Sequence, residues 1–325
     1  MTTAKRISFY ETGSADVLRL ETAELPEPAT GQARVRHTAI AVNFIDIYFR
    51  TGVYPAALPS ELGSDAVGVV EAIGEGVTDI AVGDRVGYLI GPQGAYSDVR
   101  NMPAAVLIRL PDGIADQTAA TLMMKGMTAQ YLFRQVYPLK GGETILYHAA
   151  AGGVGLLACQ WAKALGVRMI GTVSTDAKAE IAKNSGCAEV IVTSRENTVQ
   201  RVKDLTDGKG VAVVFDSVGK DTLQTSLNCL QPRGTLVSNG TSSGPVIIDT
   251  MQLAAKGSLW VTRPAMMHYI QPRSHMLAMA DEVFGMVTSG KIKSEAGQVF
   301  ALDQAADAHR ALESRATVGA TILLP

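Results

Sequence analysis

Between residues 143 and 263 the chain alternates short apolar runs with stretches in which apolar residues recur at helical spacing. The runs 143–149, 167–173, 189–193, 211–216, 235–238 and 258–262 are bounded by Gly, Pro or polar residues and read as strands. Between them, 156–165, 176–185, 196–205 and 221–230 each carry one apolar face and read as helices. Strands that are apolar throughout, rather than alternating, are buried on both faces. The pattern therefore predicts an α/β fold with a doubly wound parallel sheet of about six strands. Sheets of this kind bind dinucleotides beyond the C-terminal ends of the strands.

The earlier part of the chain has a different rhythm. Runs 5–10, 33–42, 66–73 and 85–90 are β-like and split by Gly and Pro turns, with few helical periods before Asp116. That predicts a separate β-rich domain. Residues 116–137 read as one helix or two leading into the second domain. The tail reads as helix 273–289, strand 298–302, helix 304–315 and strand 320–324, and is expected to fold back onto the first domain. The chain has 325 residues, more than one core normally serves. The expected division is 1–125 with 266–325, and 126–265.

Composition narrows the class. Apolar residues make up 47% and charged residues 18%, as in a folded globular chain. Lys and Arg total 29 against 31 Asp and Glu, a net charge of −2 with no basic stripe, which argues against nucleic acid. No run reaches the roughly 18 apolar residues of a membrane span; the best, 156–170, is broken by Gln160, Lys163 and Arg168. The first residues show no apolar leader segment. Cys159, Cys187 and Cys229 form neither a disulfide framework nor a CxxC pair. A soluble, reduced, cytoplasmic protein is expected.

The clearest chemical signal is the loop Ala149-Ala150-Ala151-Gly152-Gly153-Val154-Gly155, directly after a strand and before a helix. Small residues let the backbone approach a pyrophosphate, and the helix N-terminus offers unpaired N–H groups. The strict GxGxxG fingerprint is not met, since Ala150 takes the place of its first glycine. An NAD site wants an acid at the end of the second strand. Here that strand ends Gly171-Thr172-Val173-Ser174, and Asp176 comes later, where it is expected to cap the next helix. Ser174 and Lys178 supply instead a neutral donor and a cation suited to a ribose 2′-phosphate, so the reading favours NADPH over NADH.

With Val42-Asn43-Phe44-Ile45-Asp46-Ile47-Tyr48, Gly52-Val53-Tyr54-Pro55, the run His148 to Gly155, Phe215-Asp216-Ser217-Val218-Gly219 and Glu313-Ser314-Arg315-Ala316-Thr317, the sequence resembles the zinc-free NADPH:quinone oxidoreductases. These form the zeta-crystallin-like branch of the medium-chain dehydrogenase/reductase superfamily. The matches span essentially the whole chain. The resemblance implies a GroES-like catalytic domain, a Rossmann domain and a cofactor in the cleft between them. Zinc-dependent relatives place a cysteine where Asn43 stands and Gly-His-Glu where Gly63-Ser64-Asp65 stands. No cysteine precedes Cys159, and His37, His148, His268, His275 and His309 show no ligand spacing and read as surface or packing residues. No metal is expected.

Without a Lewis acid, hydrogen-bond donors must stabilise the oxygen that gains charge on hydride transfer. The resemblance assigns Asn43, Tyr48 and Tyr54 to the substrate pocket, with Asp46 expected to orient the tyrosines. Without the family, Phe44, Ile47, Tyr48 and Tyr54 would equally read as a helix and turn packing on core. For the cofactor it implies Thr128, Gly152, Gly153, Val154, Ser174, Lys178, Ser217, Gly240 and Arg315, with Val261 to Arg263 at the nicotinamide end. Two departures stand out. Thr193-Ser194-Arg195 replaces a tyrosine near the adenine ribose, with Thr193 in its vicinity and Arg195 able to add charge to the phosphate site. Asn239 replaces an aromatic residue. The apolar edge strand 258–262, with Trp260, would leave backbone groups unpaired, and the resemblance implies a homodimer through it. The leading expectation is NADPH-dependent reduction of a quinone; the alternatives are an enone or enoyl reductase of the same superfamily and an RNA-binding or crystallin-like binding protein.

Overall fold

The spine of the first half is the 11-residue strand Gln32–Val42 in a computed structural model that describes residues 2–325. One of its edges pairs antiparallel with Asp65–Ile73. The other is shared by Val99–Pro103 at its start and Ala320–Leu324 at its end. Arg85–Leu89 and Ile108–Arg109 extend the sheet beyond Asp65–Ile73, and Ala296–Ala301 adds a parallel strand beyond Ala320–Leu324. A smaller sheet runs Arg19–Leu25, Thr2–Phe9, Ser60–Glu61. The tail strands thus complete the sheet begun by the first third of the chain. The two compact units are residues up to Met127 with Pro272–Pro325, and Thr128–Gln271. The tail joins the first unit from Pro272 and not from 266, because the preceding segment packs in the second unit, where the Tyr269 ring lies 5.1 Å from that of Tyr131.

The second unit is a six-stranded parallel sheet in the order Glu189–Val192, Arg168–Val173, Thr144–Tyr147, Val211–Asp216, Leu230–Ser238, Trp260–Thr262. The order reverses between Thr144–Tyr147 and Val211–Asp216, and the glycine loop leaves the first of these strands. Helix Gly153–Ala164 starts ahead of its apolar pattern because glycines fill its first turn and carry no helical signal. Strand Leu230–Ser238 likewise starts before its apolar run, since Pro232, Arg233 at φ 61 and Gly234 interrupt the pattern without ending the strand. Ser258, at φ 56, shortens the edge strand to Trp260–Thr262.

Apolar burial holds each unit. Phe9, Val35, Ile40, Leu62, Tyr88 and Leu107 pack with Leu302 and Leu323 of the tail. In the second unit Leu146, Ile170, Val214 and Leu236 come from four adjacent strands, with Leu223 and Leu227 packed against them. Phe215 is fully buried on the central strand, its ring 5.0 Å from Phe133 and 5.9 Å from Tyr147. Phe215→Ala is expected to cost about 3–5 kcal/mol, as truncations of buried aromatic residues do. In urea the transition of the second unit should move to lower concentration with its slope unchanged.

Candidate active site

Spine strand Gln32–Val42 ends one residue before helix Phe44–Thr51, with Asn43 in extended conformation at the N-cap and Gly52 at φ 81 closing the helix. Asp46 lies in the first turn, where a carboxylate is favoured by the unpaired N–H groups. It is completely buried, and its carboxylate accepts from Asn43 N at 2.9 Å, Ser64 Oγ at 2.7 Å and Tyr96 OH at 3.1 Å. Burial pushes the Asp46 carboxyl up to about 7 against those bonds, and neighbouring Asp65 adds to the rise. The tyrosine that Asp46 orients is Tyr96. The sequence expectation set Asp46 against Tyr48 and Tyr54; the hydrogen bonds just described run to Asn43 N, Ser64 and Tyr96.

Behind Tyr96 the network continues into the tail. Tyr96 OH is 3.0 Å from His309 Nε2, and Arg50 Nη1 is 3.2 Å from His309 Nδ1. A guanidinium only donates, so Nδ1 must accept and the imidazole proton sits on Nε2, facing the Tyr96 oxygen. Burial, with Arg50 close by, holds His309 down to about 3. Arg50 also makes a paired contact to Glu313, at 2.5 and 3.1 Å. None of Tyr96, His309, Arg50 or Ser64 was singled out as a site residue from the sequence; they lie far apart in the chain with no shared spacing.

A second cluster adjoins the first. Asn43 donates from Nδ2 to Asp65 Oδ1 at 2.5 Å and accepts at Oδ1 from Lys125 Nζ at 2.8 Å. Lys125 also donates to Val42 O at 3.1 Å, and Met124 N donates to Asp65 Oδ2 at 3.0 Å. Burial raises the Asp65 carboxyl and lowers the Lys125 ammonium, while each opposes the other's shift through its charge. The legible signal for Lys125 was a single charge inside the apolar run Leu122 to Met127. Tyr48 is buried at the helix, and half-buried Tyr54 packs edge-on against it at 5.3 Å and against Phe49 at 5.7 Å. These rings pack on one another within the same helix and turn as Asn43.

In the second unit, Gly152 caps helix Gly153–Ala164 with no side-chain bond, which leaves the first N–H groups of the helix for a ligand. A Cβ on Gly155 would lie 2.4 Å from Ala149 O, and one on Gly240 would lie 2.4 Å from Ser217 O, so both backbone approaches require glycine. Ser238 Oγ and Asn239 Oδ1 are buried without a hydrogen-bond partner at the end of strand Leu230–Ser238. Orphan polar atoms beside a glycine cradle and an uncapped helix fit a bound dinucleotide. Ser174 and half-buried Lys178 lie at the end of strand Arg168–Val173 and on the following helix, with Val154 in the first turn after Gly153.

Other predicted positions are arranged less simply. Thr175, and not Asp176, caps helix Asp176–Asn184, accepting from Lys178 N; Asp176 instead pairs with Arg195 at 2.7 Å. Arg195 is thus partly neutralised, by an exposed and therefore weak pair that is easily exchanged. Thr193 turns its hydroxyl back to Val173 O at 3.1 Å. Arg263 donates to Ser238 O at 2.8 Å, next to half-exposed Val261. Thr128 opens the second unit on helix Asp116–Tyr131, half-buried Ser217 follows strand Val211–Asp216, and exposed Arg315, at φ 59, belongs to the tail of the first unit.

Comparison with known proteins gives these arrangements a family. Residues 29–112 match the alcohol dehydrogenase GroES-like domain and residues 153–280 match a model described as zinc-binding dehydrogenase. The chain is 54% identical to a quinone oxidoreductase of Pseudomonas aeruginosa, over 99% of this chain and 100% of that one. The structure of Escherichia coli quinone oxidoreductase complexed with NADPH superposes with a TM-score of 0.97 at 46% identity, covering 100% of both chains. A 2-haloacrylate reductase from Burkholderia is 43% identical over 98% of each chain. The chain belongs to the quinone oxidoreductase family of medium-chain dehydrogenases/reductases.

The metal named in the second match has no fitting ligand set here. Among the described residues, no group of three or more His, Cys, Asp or Glu side chains is placed to hold an ion. At the positions where zinc-dependent relatives carry ligands stand an amide, a hydroxyl and Asp65, with the Lys125 ammonium already bonded to the amide. A fixed cation at that point opposes a second one.

The buried histidines give a pH signature. His37 is also held down to about 3 by burial, with its Nδ1 on Ser97 O and Tyr88 OH on its Nε2. Both rings are neutral when folded and free to take a proton when unfolded below pH about 6.5. The unfolded state then binds more protons, so stability falls as pH falls from about 6.5 towards 3. Asp46, raised to about 7, acts oppositely: its contribution is lost as pH rises from about 4 to 7. His309→Gln should lower stability at neutral pH and reduce the acid slope by one proton, about 1.4 kcal/mol per pH unit. Urea titrations at several pH values between 4 and 6.5 measure it, and an unchanged slope would count against a neutral His309.

Proposed function

We propose that this protein is an NADPH:quinone oxidoreductase that works without zinc. The observation that carries the reading is the pairing of a glycine cradle with an acid-free second strand in one unit, and a buried, fully oriented amide donor, Asn43, in the other. The family membership and the NADPH complex of the Escherichia coli relative support it.

Bound NADPH supplies the hydride. In the second unit, Gly152, Gly153 and Val154 would receive the pyrophosphate on the backbone N–H groups of the helix start, and Ser174 with Lys178 would receive the 2′-phosphate. Arg195 would join them by exchanging Asp176, and Arg315 is a further cation for a phosphate. Thr128, Ser217, Gly240, Val261 and Arg263 would shape the remainder of the cofactor site, and Thr193 the adenine ribose side. In the first unit, Asn43 Nδ2 would donate to the quinone oxygen as it gains charge, with Tyr48 and Tyr54 bounding the acceptor and offering hydroxyls. Asp46 acts beneath them as a support. The product is a stabilised aromatic hydroquinone anion, which water can protonate, so no dedicated acid is required. We place the protein in the cytoplasm, where its three free, buried thiols remain reduced, and as a homodimer. Exposed Trp260 on the short edge strand is the motive for the second assignment, and a monomeric mass by light scattering at micromolar concentration would sink it.

The 2-haloacrylate reductase relative gives a specific reason to test a carbon–carbon double bond as the acceptor. Nicotinamide oxidation should be followed with NADPH and with NADH against para-benzoquinone, phenanthrenequinone and a plain enone. Rapid turnover of quinone with NADPH, and much slower turnover with NADH, is expected; turnover of the enone alone would favour the second reading. Lys178→Ala should raise the KM for NADPH about tenfold, the loss of about 1.4 kcal/mol, while leaving the KM for NADH nearly unchanged.

A further inference from the structure

Lys125 is the one charged residue in the run Leu122 to Met127 and is only 7% exposed. A lysine so buried would ordinarily be replaced by an apolar residue unless its charge had work to do. Its bonds to Asn43 Oδ1 at 2.8 Å and Val42 O at 3.1 Å bring an ammonium to the amide at the end of the spine strand. On the amide's other side, Asp65 Oδ1 accepts from Nδ2 at 2.5 Å. An ammonium only donates and a carboxylate only accepts. The amide therefore has one allowed orientation, since a flip would set its NH2 against the ammonium and its oxygen against the carboxylate. One proton of Nδ2 goes to Asp65, and the second has no partner among the described residues.

We propose that Lys125 is a positioning residue for the reaction, whose ammonium locks and polarises the Asn43 carboxamide so that the remaining Nδ2 proton is a strong, fixed donor to the acceptor oxygen. The positive charge that a metal brings to these positions in zinc-dependent relatives is here carried one bond further back, through an amide. Pull on Oδ1 withdraws electron density from the nitrogen and strengthens what its protons can donate, as in any hydrogen-bond chain. A donor that is already aimed needs no reorganisation when charge develops. The proposal rests on the reading of Asn43 as the donor to the reduced oxygen, and its test separates the two claims.

The experiment is a double-mutant cycle on the full-length enzyme with NADPH and para-benzoquinone, measuring kcat, KM for NADPH and thermal stability. Asn43→Ala should lower kcat about a hundredfold, the low end for loss of one oxyanion donor. If it does not, the reading of Asn43 fails. Lys125→Met should lower kcat about tenfold with KM for NADPH unchanged, and should have almost no further effect in the Asn43→Ala background. Equal losses from Lys125→Met in both backgrounds would show a general structural role and overturn the proposal, as would full kcat in the folded single variant. Lys125→Met leaves Asp65 as an unpaired buried charge. If it fails to fold, Lys125→Met/Asp65→Asn is compared with Asp65→Asn alone in the same two backgrounds, and the same non-additivity is required.

Discussion

A carboxylate with no access to water has to find its hydrogen bonds inside the protein, and Asp46 draws them from three different parts of the chain. The backbone at Asn43 ends the spine strand, Ser64 opens the neighbouring one, and Tyr96 comes from the loop before Val99–Pro103. Through His309 and Arg50 the requirement reaches the last helix, Ala305–Glu313, so the tail is tied in by polar bonds as well as by its strands. Leaving any of these groups unpaired in the interior would cost about 1–3 kcal/mol. The price of burying one charge is thus a set of fixed positions around helix Phe44–Thr51, and Asn43 stands at their edge.

The second unit solves a different problem with the backbone. Its sheet reverses order beside the loop that follows Thr144–Tyr147, and the loop bends tightly enough that Ala149 adopts φ 56 and Gly155 has no room for a side chain. The uncapped helix start, the glycine approaches and the orphan atoms of Ser238 and Asn239 all lie at C-terminal strand ends. Beneath them, His148, directly after strand Thr144–Tyr147, bridges Thr172 and Ser226, and Ser226 in turn bonds Asp216, so that two strands, a helix and the start of the loop share one polar network. His148 reads as a surface or packing residue from the sequence; it is buried and packs by hydrogen bonding.

Much of the second unit was legible because its information is local. Apolar runs, helical periods and a glycine loop each occupy one short window, and all six strands and the position of the loop follow from them. Errors arose where glycine or proline hides an element's start, as at Gly153 and Leu230, and where capping depends on a neighbour, as with Thr175 for Asp176. The first unit was legible only in outline. Strand Arg19–Leu25 carries three charges, Arg19, Glu21 and Glu24, that mask its pairing with Thr2–Phe9. Asn43 and Asp46, named for their local motif, do meet, but their partners Ser64, Asp65, Tyr96 and Lys125 are 18 to 82 residues away along the chain. No periodicity reports such a meeting.

The order of donors along the buried chain also fixes how protons can travel. Arg50 gives to His309, His309 to Tyr96, and Tyr96 to Asp46, each acceptor already committed by the group behind it. For a proton to leave Asp46 along this route towards the surface at Glu313, every link would have to reverse and the guanidinium would have to accept, which it cannot. The chain is therefore an insulator. It braces the helix under the amide while closing this route at the rear of the unit to proton exchange.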